Sequence, residues 1–194
     1  MRVLLLFCHP VETSYQAALH RVVQRTLEAG GHAVDDCDLY AEQFDPVLSR
    51  EDRLVYHDET KNRVPVAPYV ERLLAAEGLV LVFPVWNFGL PAMLKGFFDR
   101  VLLPGVAFRL TEDGGYRPDL TNLRQLAAVT TYGQPRWKAL LVGDPPKRFV
   151  TRVLRSTPGR LVPTRYLAHY DMNRSTDTTR QAFLTKVEQA MARF

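Results

Sequence analysis

Hydrophobic positions change period regularly along the chain. Arg2–Phe7 (RVLLLF) is a continuous apolar run ending at His9-Pro10, the pattern of a strand buried on both faces of a parallel sheet. Beyond it Tyr15, Ala18, Leu19, Val22, Val23 and Leu27 recur in steps of three and four, which predicts an amphipathic helix. Thr13 or Ser14 supplies its N-cap and Gly30-Gly31 its stop. Ala33–Leu39 (AVDDCDL) reads as a second strand. Residues 40–65 are polar and irregular, with one short helix expected at Ser49–His57. Tyr69–Ala76 reads as helical, with Pro65 and Pro68 near its start. Gly78–Val85 (GLVLVFPV) is the clearest strand in the chain. Leu90, Met93, Leu94, Phe97, Phe98, Val101 and Leu102 then form one apolar stripe, with Pro91 in the first helical turn. Leu126–Thr131 predicts a further buried strand and Pro145–Leu154 a helix opened by two prolines. Arg165–Tyr170 is the last strand, and Thr176–Phe194 a final helix turning Phe183, Val187, Met191 and Phe194 inward.

Five strands alternating with helices predict an α/β fold in one domain, residues 1–194. Its architecture is a three-layer sandwich around a five-stranded parallel sheet, joined by right-handed crossovers. Periodicity leaves the strand order open. Ligands of such sheets bind beyond the carboxyl ends of strands, at a topological switch point. That rule selects three loops: 8–16, 84–90 and 130–137.

Composition narrows the class. Of 194 residues, 46% are hydrophobic and 24% charged, which excludes a disordered or collagen-like chain. The longest apolar stretch, 78–93, is interrupted by Pro84, Asn87 and Pro91, short of the ~20 clean residues a membrane helix needs. The N-terminal apolar run breaks too early for a secretory signal. Cys8 and Cys37 are too few for a disulfide scaffold. A cytoplasmic protein is expected, and one not integral to a membrane. The net charge of +4 is unevenly placed: residues 117–174 carry eleven Lys/Arg against three acids, which suits an anionic ligand or simply an exposed basic face. No zinc-finger or RNA-binding signature accompanies it, so no nucleic-acid partner is expected.

The three loops carry the candidate chemistry. The first, Cys8-His9-Pro10-Val11-Glu12-Thr13-Ser14-Tyr15-Gln16, ends at a helix N-terminus, where free N–H groups favour an anion such as phosphate. The hydroxyls of Thr13 and Ser14 and the His9 ring add donors. The alternative is a capped helix with a structural histidine. The second, Phe83 to Pro91, holds Trp86, Asn87, Phe88 and Gly89. Aromatics there can form an apolar wall for a flat conjugated ligand, with Asn87 and backbone N–H groups reading its polar edge. The alternative is that Trp86 and Phe88 bury themselves or meet another subunit. The third, Thr130-Thr131-Tyr132-Gly133-Gln134-Pro135, is a hydroxyl-rich rim with a glycine for close approach, or a plain turn.

Other chemistries fit poorly. There is no GxGxxG, Walker A or GxSxG pattern. Six residues beyond Cys8 stands Ser14, so the thiol lacks the arginine of a CxxxxxR phosphate loop. The five histidines show no metal spacing, and no metal is expected. Asp35 and Asp36 alternate faces of a strand and point apart.

These segments resemble the flavodoxin-like NAD(P)H:quinone oxidoreductase family, which includes DT-diaphorase-type enzymes, bacterial FMN-dependent NADH-azoreductases and ancillary quinone reductases of potassium efflux systems. The likeness lies in FPVWNFGLPAMLKGFFDRV (83–101), in His9-Pro10 followed by Thr13-Ser14-Tyr15, and in Leu39-Tyr40 with Phe44-Asp45-Pro46. Gly105 to Arg109, with Asp113-Gly114, is similar to the azoreductase segment after that helix. The resemblance implies strand order 2-1-3-4-5. It implies a flavin whose phosphate and ribityl chain meet His9, Thr13, Ser14, Tyr15 and Gln16. Pro84, Val85, Trp86, Asn87 and Phe88 would line its ring, and Thr130, Thr131, Tyr132 and Gly133 its pyrimidine edge. Phe108 and Leu110 stand where the family's pocket tyrosines would be. The Tyr and His that follow the third loop in DT-diaphorase-type enzymes have no counterpart in Gln134–Gly143, so no side chain is assigned a catalytic role. The absence of a long C-terminal extension favours FMN over FAD. The implied activity is ping-pong: NAD(P)H gives a hydride to the flavin, and a quinone, azo or nitro compound then takes the electrons. A homodimer is implied, with the +8 segment attracting NADPH phosphates. Two alternatives stand beside it. A flavodoxin-type electron carrier is typically acidic, unlike this chain of pI ≈ 9.2. A regulatory subunit of a membrane transporter is the other.

Overall fold

The computed structural model describes all 194 residues, Met1–Phe194. Five parallel strands form the central sheet: β1 (Arg2–Phe7), β2 (Ala33–Asp38), β3 (Gly78–Val85), β6 (Gln125–Tyr132) and β7 (Thr164–His169). A separate antiparallel hairpin pairs β4 (Phe108–Leu110) with β5 (Tyr116–Pro118). The sheet order is β2-β1-β3-β6-β7, the expected 2-1-3-4-5 of the core strands. The switch point lies between β1 and β3.

Two layers of helices cover the sheet, as the apolar runs require. On one face Val3, Leu5, Phe7, Val80, Val82, Ala127 and Val129 meet α1 (Tyr15–Ala29) and α7 (Asp177–Met191) through Leu19, Val23, Leu27, Phe183, Val187 and Met191. On the other, Leu4, Leu6, Leu79, Leu81, Phe83, Leu126 and Ala128 meet α3 (Ala67–Ala75) and α4 (Ala92–Val101). They also meet α6 (Pro145–Arg148), which runs on through a π-helical stretch to Leu154. All eight residues of β3 are buried. Each fully buried Leu, Val or Phe side chain contributes roughly 1.5–3 kcal/mol. No helix is long and apolar enough to cross a membrane.

Several boundaries differ from expectation for local reasons. Of the two expected N-caps Ser14 is the one that caps α1, its side chain accepting from the Ala17 N–H at 3.1 Å. Pro91 is the N-cap of α4 rather than a first-turn residue, since its ψ of 144° is extended. The helix expected at Ser49–His57 is only α2 (Arg50–Leu54), closed at its start by a reciprocal Ser49–Asp52 cap. The hairpin and α5 (Arg136–Leu141) have no counterpart in the sequence reading. Three-residue strands show no periodicity, and α5 buries only Ala139.

Candidate functional site

The first loop offers backbone donors at the start of α1. The N–H groups of Thr13, Tyr15 and Gln16 hydrogen-bond to nothing in the protein, whereas that of Ser14 donates to the Val11 carbonyl. The Thr13 side chain is exposed. His9 turns its Nδ1 back onto the loop, accepting from the Val11 N–H at 3.0 Å, and its ring lies 5.9 Å from that of Trp86. The first and second loops therefore meet. Two residues named from the resemblance use their side chains elsewhere. The Tyr15 hydroxyl donates to the Arg180 carbonyl of α7 at 2.8 Å. Gln16, 3% exposed, donates to the Val129 carbonyl and accepts from the Thr131 hydroxyl. Their side-chain polar groups are thus engaged, while their N–H groups stay free. Gln16 instead ties α1 to β6 and so fixes the first loop against the third.

The second loop is a tight reversal. The Gly89 N–H donates to the Trp86 carbonyl at 2.8 Å, and Asn87 and Phe88 have φ of 49° and 58°. Positive φ at both central residues marks a type I′ turn. Outside glycine that conformation costs roughly 1–2 kcal/mol per residue, less for asparagine. The turn lies at the carboxyl end of β3 and leaves the Asn87 and Phe88 N–H groups without a partner in the protein. Strain of this kind gathers at ligand sites. Asn87→Val is expected to lower stability by about 1–2 kcal/mol, because a β-branched side chain resists positive φ. Asn87→Gly should stay within about 0.5 kcal/mol of the parent by the same reasoning. Urea unfolding checks both, and equal losses would contradict the turn geometry.

Across from this turn stands the third loop. Val85, Trp86, Asn87 and Phe88 on one lip and Tyr132, Gly133 and Gln134 on the other enclose a crevice of about 490 Å³. The expected hydroxyl rim is corrected here: strand alternation carries the side chains of Thr130 and Tyr132 into the sheet face, and the Thr131 hydroxyl is held by Gln16. What faces the crevice is backbone, including the unpaired Gly133 N–H. Behind it lies a tyrosine network. The Tyr132 hydroxyl donates to Asp144 at 2.6 Å, and Tyr166 donates to the Tyr132 oxygen at 2.6 Å. The Tyr170 hydroxyl reaches Asp144 at 3.4 Å. Burial pushes all three phenols up, that of Tyr170 to about 12, so they act as donors and keep their protons. The loop after β7 supports the same rim, since Asp171 and Asn173 donate backbone N–H bonds to the Gln134 and Gly133 carbonyls. Nothing in the sequence pattern marked Asp144 or Tyr166.

Phe108 and Leu110 are not part of this crevice. They follow the far end of α4, which starts at the carboxyl edge of the sheet and runs back for ten residues, about 15 Å. Within one chain they lie on the β4–β5 hairpin, Phe108 half-buried and Leu110 exposed. Pro84 is buried within β3 and contributes its place in the strand only. Both cysteines are buried. Burial pushes the Cys8 thiol up to about 12 and also raises that of Cys37, so neither is a nucleophile at neutral pH. A thiol-labelling disulfide at pH 8 should modify neither until the chain unfolds. A thiol that holds its proton in the folded state but releases it near 9.0 unfolded stabilises the fold fully below that pH. The contribution is lost as pH rises toward 12. No group of histidine, cysteine and acidic residues is placed to hold a metal ion.

Known proteins share this fold. Residues 1–190 match the family described as flavodoxin-like fold. The chain is 34% identical over 149 residues to the uncharacterized NAD(P)H oxidoreductase YcaK of Escherichia coli, covering 74% of this chain and 65% of that protein. It is 31% identical over 148 residues to NAD(P)H dehydrogenase [quinone] 1 of Rattus norvegicus, covering 68% and 54%. The matched region thus spans between about half and two thirds of these relatives' length. In structure it is similar over its whole length to Smu.1420 of Streptococcus mutans, with TM-score 0.86, 29% identity and all of both chains covered. It shares its fold with the NAD(P)H:quinone oxidoreductase of Methanothermobacter marburgensis, with TM-score 0.83, 24% identity, and 99% and 96% covered. The chain belongs to the flavodoxin-like family that holds the NAD(P)H:quinone oxidoreductases and azoreductases.

Proposed function

We propose that the chain binds FMN in the crevice at the carboxyl edge of the sheet and serves as an NAD(P)H-dependent reductase of quinones or of related azo and nitro compounds. The observation that carries this reading is that unpaired backbone donors of the second and third loops line one crevice, and that the first loop, with its own unpaired donors, is held beside it by Gln16 against β6 and by His9 near Trp86. Relatives named for FMN support the choice of cofactor: the FMN-dependent NADH:quinone oxidoreductase of Lachnoclostridium phytofermentans is 31% identical over 107 residues.

The residues fit the group. N–H groups of Thr13, Tyr15 and Gln16 at the positive end of α1 hold the phosphate, with the Thr13 hydroxyl beside them. The Trp86 ring, partly exposed and backed by His9, flanks the isoalloxazine. N–H groups of Asn87, Phe88 and Gly133 meet its polar edge, where they stabilise negative charge. When bound, the flavin accepts and returns the hydride. The protein orients it, keeps water from one face, and supplies no acid of its own: the Tyr132 phenol is turned into the core. In a homodimer the half-buried Phe108 and the exposed Leu110 and Tyr116 of one protomer would wall the crevice of the other.

Stopped-flow mixing with NADPH tests the proposal. The FMN-loaded chain is expected to lose its flavin absorbance directly on mixing and to regain it when a short-chain quinone is added. A loaded chain that NADPH does not bleach would be an electron carrier. A chain that takes up no flavin would sink the reading altogether.

A further inference from the structure

Four polar side chains meet behind the third loop, each from a different part of the fold. Tyr132 ends β6, Tyr166 lies within β7, Tyr170 follows β7, and Asp144 stands between α5 and α6. The Tyr132 hydroxyl donates to Asp144 and accepts from Tyr166, both at 2.6 Å. The Tyr132 and Tyr170 rings pack 4.5 Å apart. Asp144 is 4% exposed and Tyr132 1%. Burying a carboxylate costs free energy even when it is hydrogen-bonded, and replacing such a set by apolar side chains is often neutral or stabilising. Folding alone therefore does not call for it.

The backbone fixes the aspartate in advance. Asp144 has φ of 46° and ψ of 62°, a left-handed conformation that costs free energy outside glycine and that aspartate tolerates better than most residues. Its N–H donates to the Ala139 carbonyl at 2.8 Å, its carbonyl accepts from the Arg148 N–H at 3.0 Å, and Pro145 and Pro146 follow it. Such a conformation persists only where its surroundings over-determine it. What the set controls is the neighbouring peptide. Tyr132 and Gly133 both line the crevice. The Gly133 carbonyl accepts from the Asn173 N–H at 3.4 Å and the Gln134 carbonyl from the Asp171 N–H at 3.0 Å. A Cβ at Gly133 would lie 3.2 Å from the Asn173 side chain, so the rim has little slack there. With these carbonyls held by the loop after β7 and the Tyr132 side chain held by Asp144, the Gly133 N–H is left free. Burial pushes the Tyr170 phenol up to about 12 and raises those of Tyr132 and Tyr166 as well, so the hydrogen bonds persist through the neutral range.

We propose that Asp144 is a positioning residue. Acting through Tyr132, it fixes the Gly133 N–H against the polar edge of the flavin ring, where that N–H stabilises the negative charge gained on reduction. This role rests on the flavin reading given above. All four side chains belong to one chain, so the role is the same in a monomer or a homodimer.

Tyr132→Phe keeps the ring and every charge but removes the link to Asp144. Fluorescence titration of the apo chain is expected to show FMN and riboflavin weakened by the same factor, about ten-fold. The two-electron midpoint potential of bound FMN should move to more negative values, because the reduced flavin loses more than the oxidised one. Asp144→Ala should weaken both flavins as Tyr132→Phe does. Asp144→Asn, whose amide oxygen still accepts from Tyr132, should stay within about three-fold of the parent. Flavin affinity or potential unchanged in Tyr132→Phe would overturn the proposal, even with a lower melting temperature, since the set would then only stabilise the fold. So would a loss confined to FMN, which would put the effect at the phosphate. An Asp144→Asn variant as weak as Asp144→Ala would overturn it too, because charge and not the hydrogen bond would then carry the effect. A parent that takes up neither flavin fails the reading of function and this role with it. A parent that binds both, with a Tyr132→Phe variant that binds them equally well, fails this role alone.

Discussion

Gly96→Ala is expected to destabilise the protein by about 2–3 kcal/mol, against the ordinary expectation that alanine in a helix interior gains up to about 1 kcal/mol over glycine. A Cβ at this position would lie 2.2 Å from the Pro46 carbonyl oxygen and 2.4 Å from the Pro46 Cβ. Neither neighbour can move easily. Arg100, one turn on, donates to the Asp45 carbonyl at 2.6 Å and pairs with Asp52 at 3.2 Å. Phe44 is buried against Tyr69 and Phe97. The 44–46 segment is thus clamped to α4 on both sides of the contact. For a chain of this length the loss corresponds to a fall in melting temperature of about 5–10 °C. Calorimetry checks it, and a variant that melts at or above the parent would show that the helix and the 44–46 segment do not touch as described. Because α4 leads directly out of the strained 86–89 turn, weaker flavin retention is expected alongside the lower melting temperature.

Ser14→Asp separates binding from folding. Aspartate is as good an N-cap as serine, and it can accept from the Ala17 N–H as Ser14 does. Helix α1 should therefore be as stable as before. The new carboxylate, however, stands among the Thr13, Tyr15 and Gln16 N–H groups assigned to the flavin phosphate. Like-charge repulsion and lost hydrogen bonding should weaken FMN by about 1–3 kcal/mol, or about 5- to 150-fold in Kd. Riboflavin, which has no phosphate, should bind parent and variant alike. Fluorescence titration of the apo chain with both compounds distinguishes the outcomes. FMN affinity unchanged by the substitution would remove the phosphate from this loop. Parallel losses for FMN and riboflavin would point to a disturbed crevice.

Particular residues show where sequence reasoning reached and where it stopped. The unbroken run RVLLLF and the eight-residue GLVLVFPV could only be strands covered on both faces, so the layered α/β architecture followed from burial alone. The switch-point rule then named the three loops, of which the second and third line one crevice and the first lies beside it through His9 and Gln16. The resemblance supplied the strand order and the proposed flavin, which periodicity does not carry. The hairpin at 108–118 and helix α5 were missed because short elements with outward apolar side chains have no period to read.

The site divides in the same way. Sequence by itself determined which segments would meet, because hydrophobic period sets the strands, and the strands set the edge of the sheet where their loops end. Only tertiary structure decided what those loops present. The Gln16 side chain proved to be a buried tie, which leaves its N–H for a ligand. The Thr130 and Tyr132 side chains turned inward, Asp144 came to lie under Tyr132, and Phe108 and Leu110 fell a helix length away. The physical reason is that pleat direction, turn strain and side-chain hydrogen bonding depend on neighbours distant in the chain. A local pattern specifies that a residue must be buried, but only its partners across the fold specify which atoms remain free.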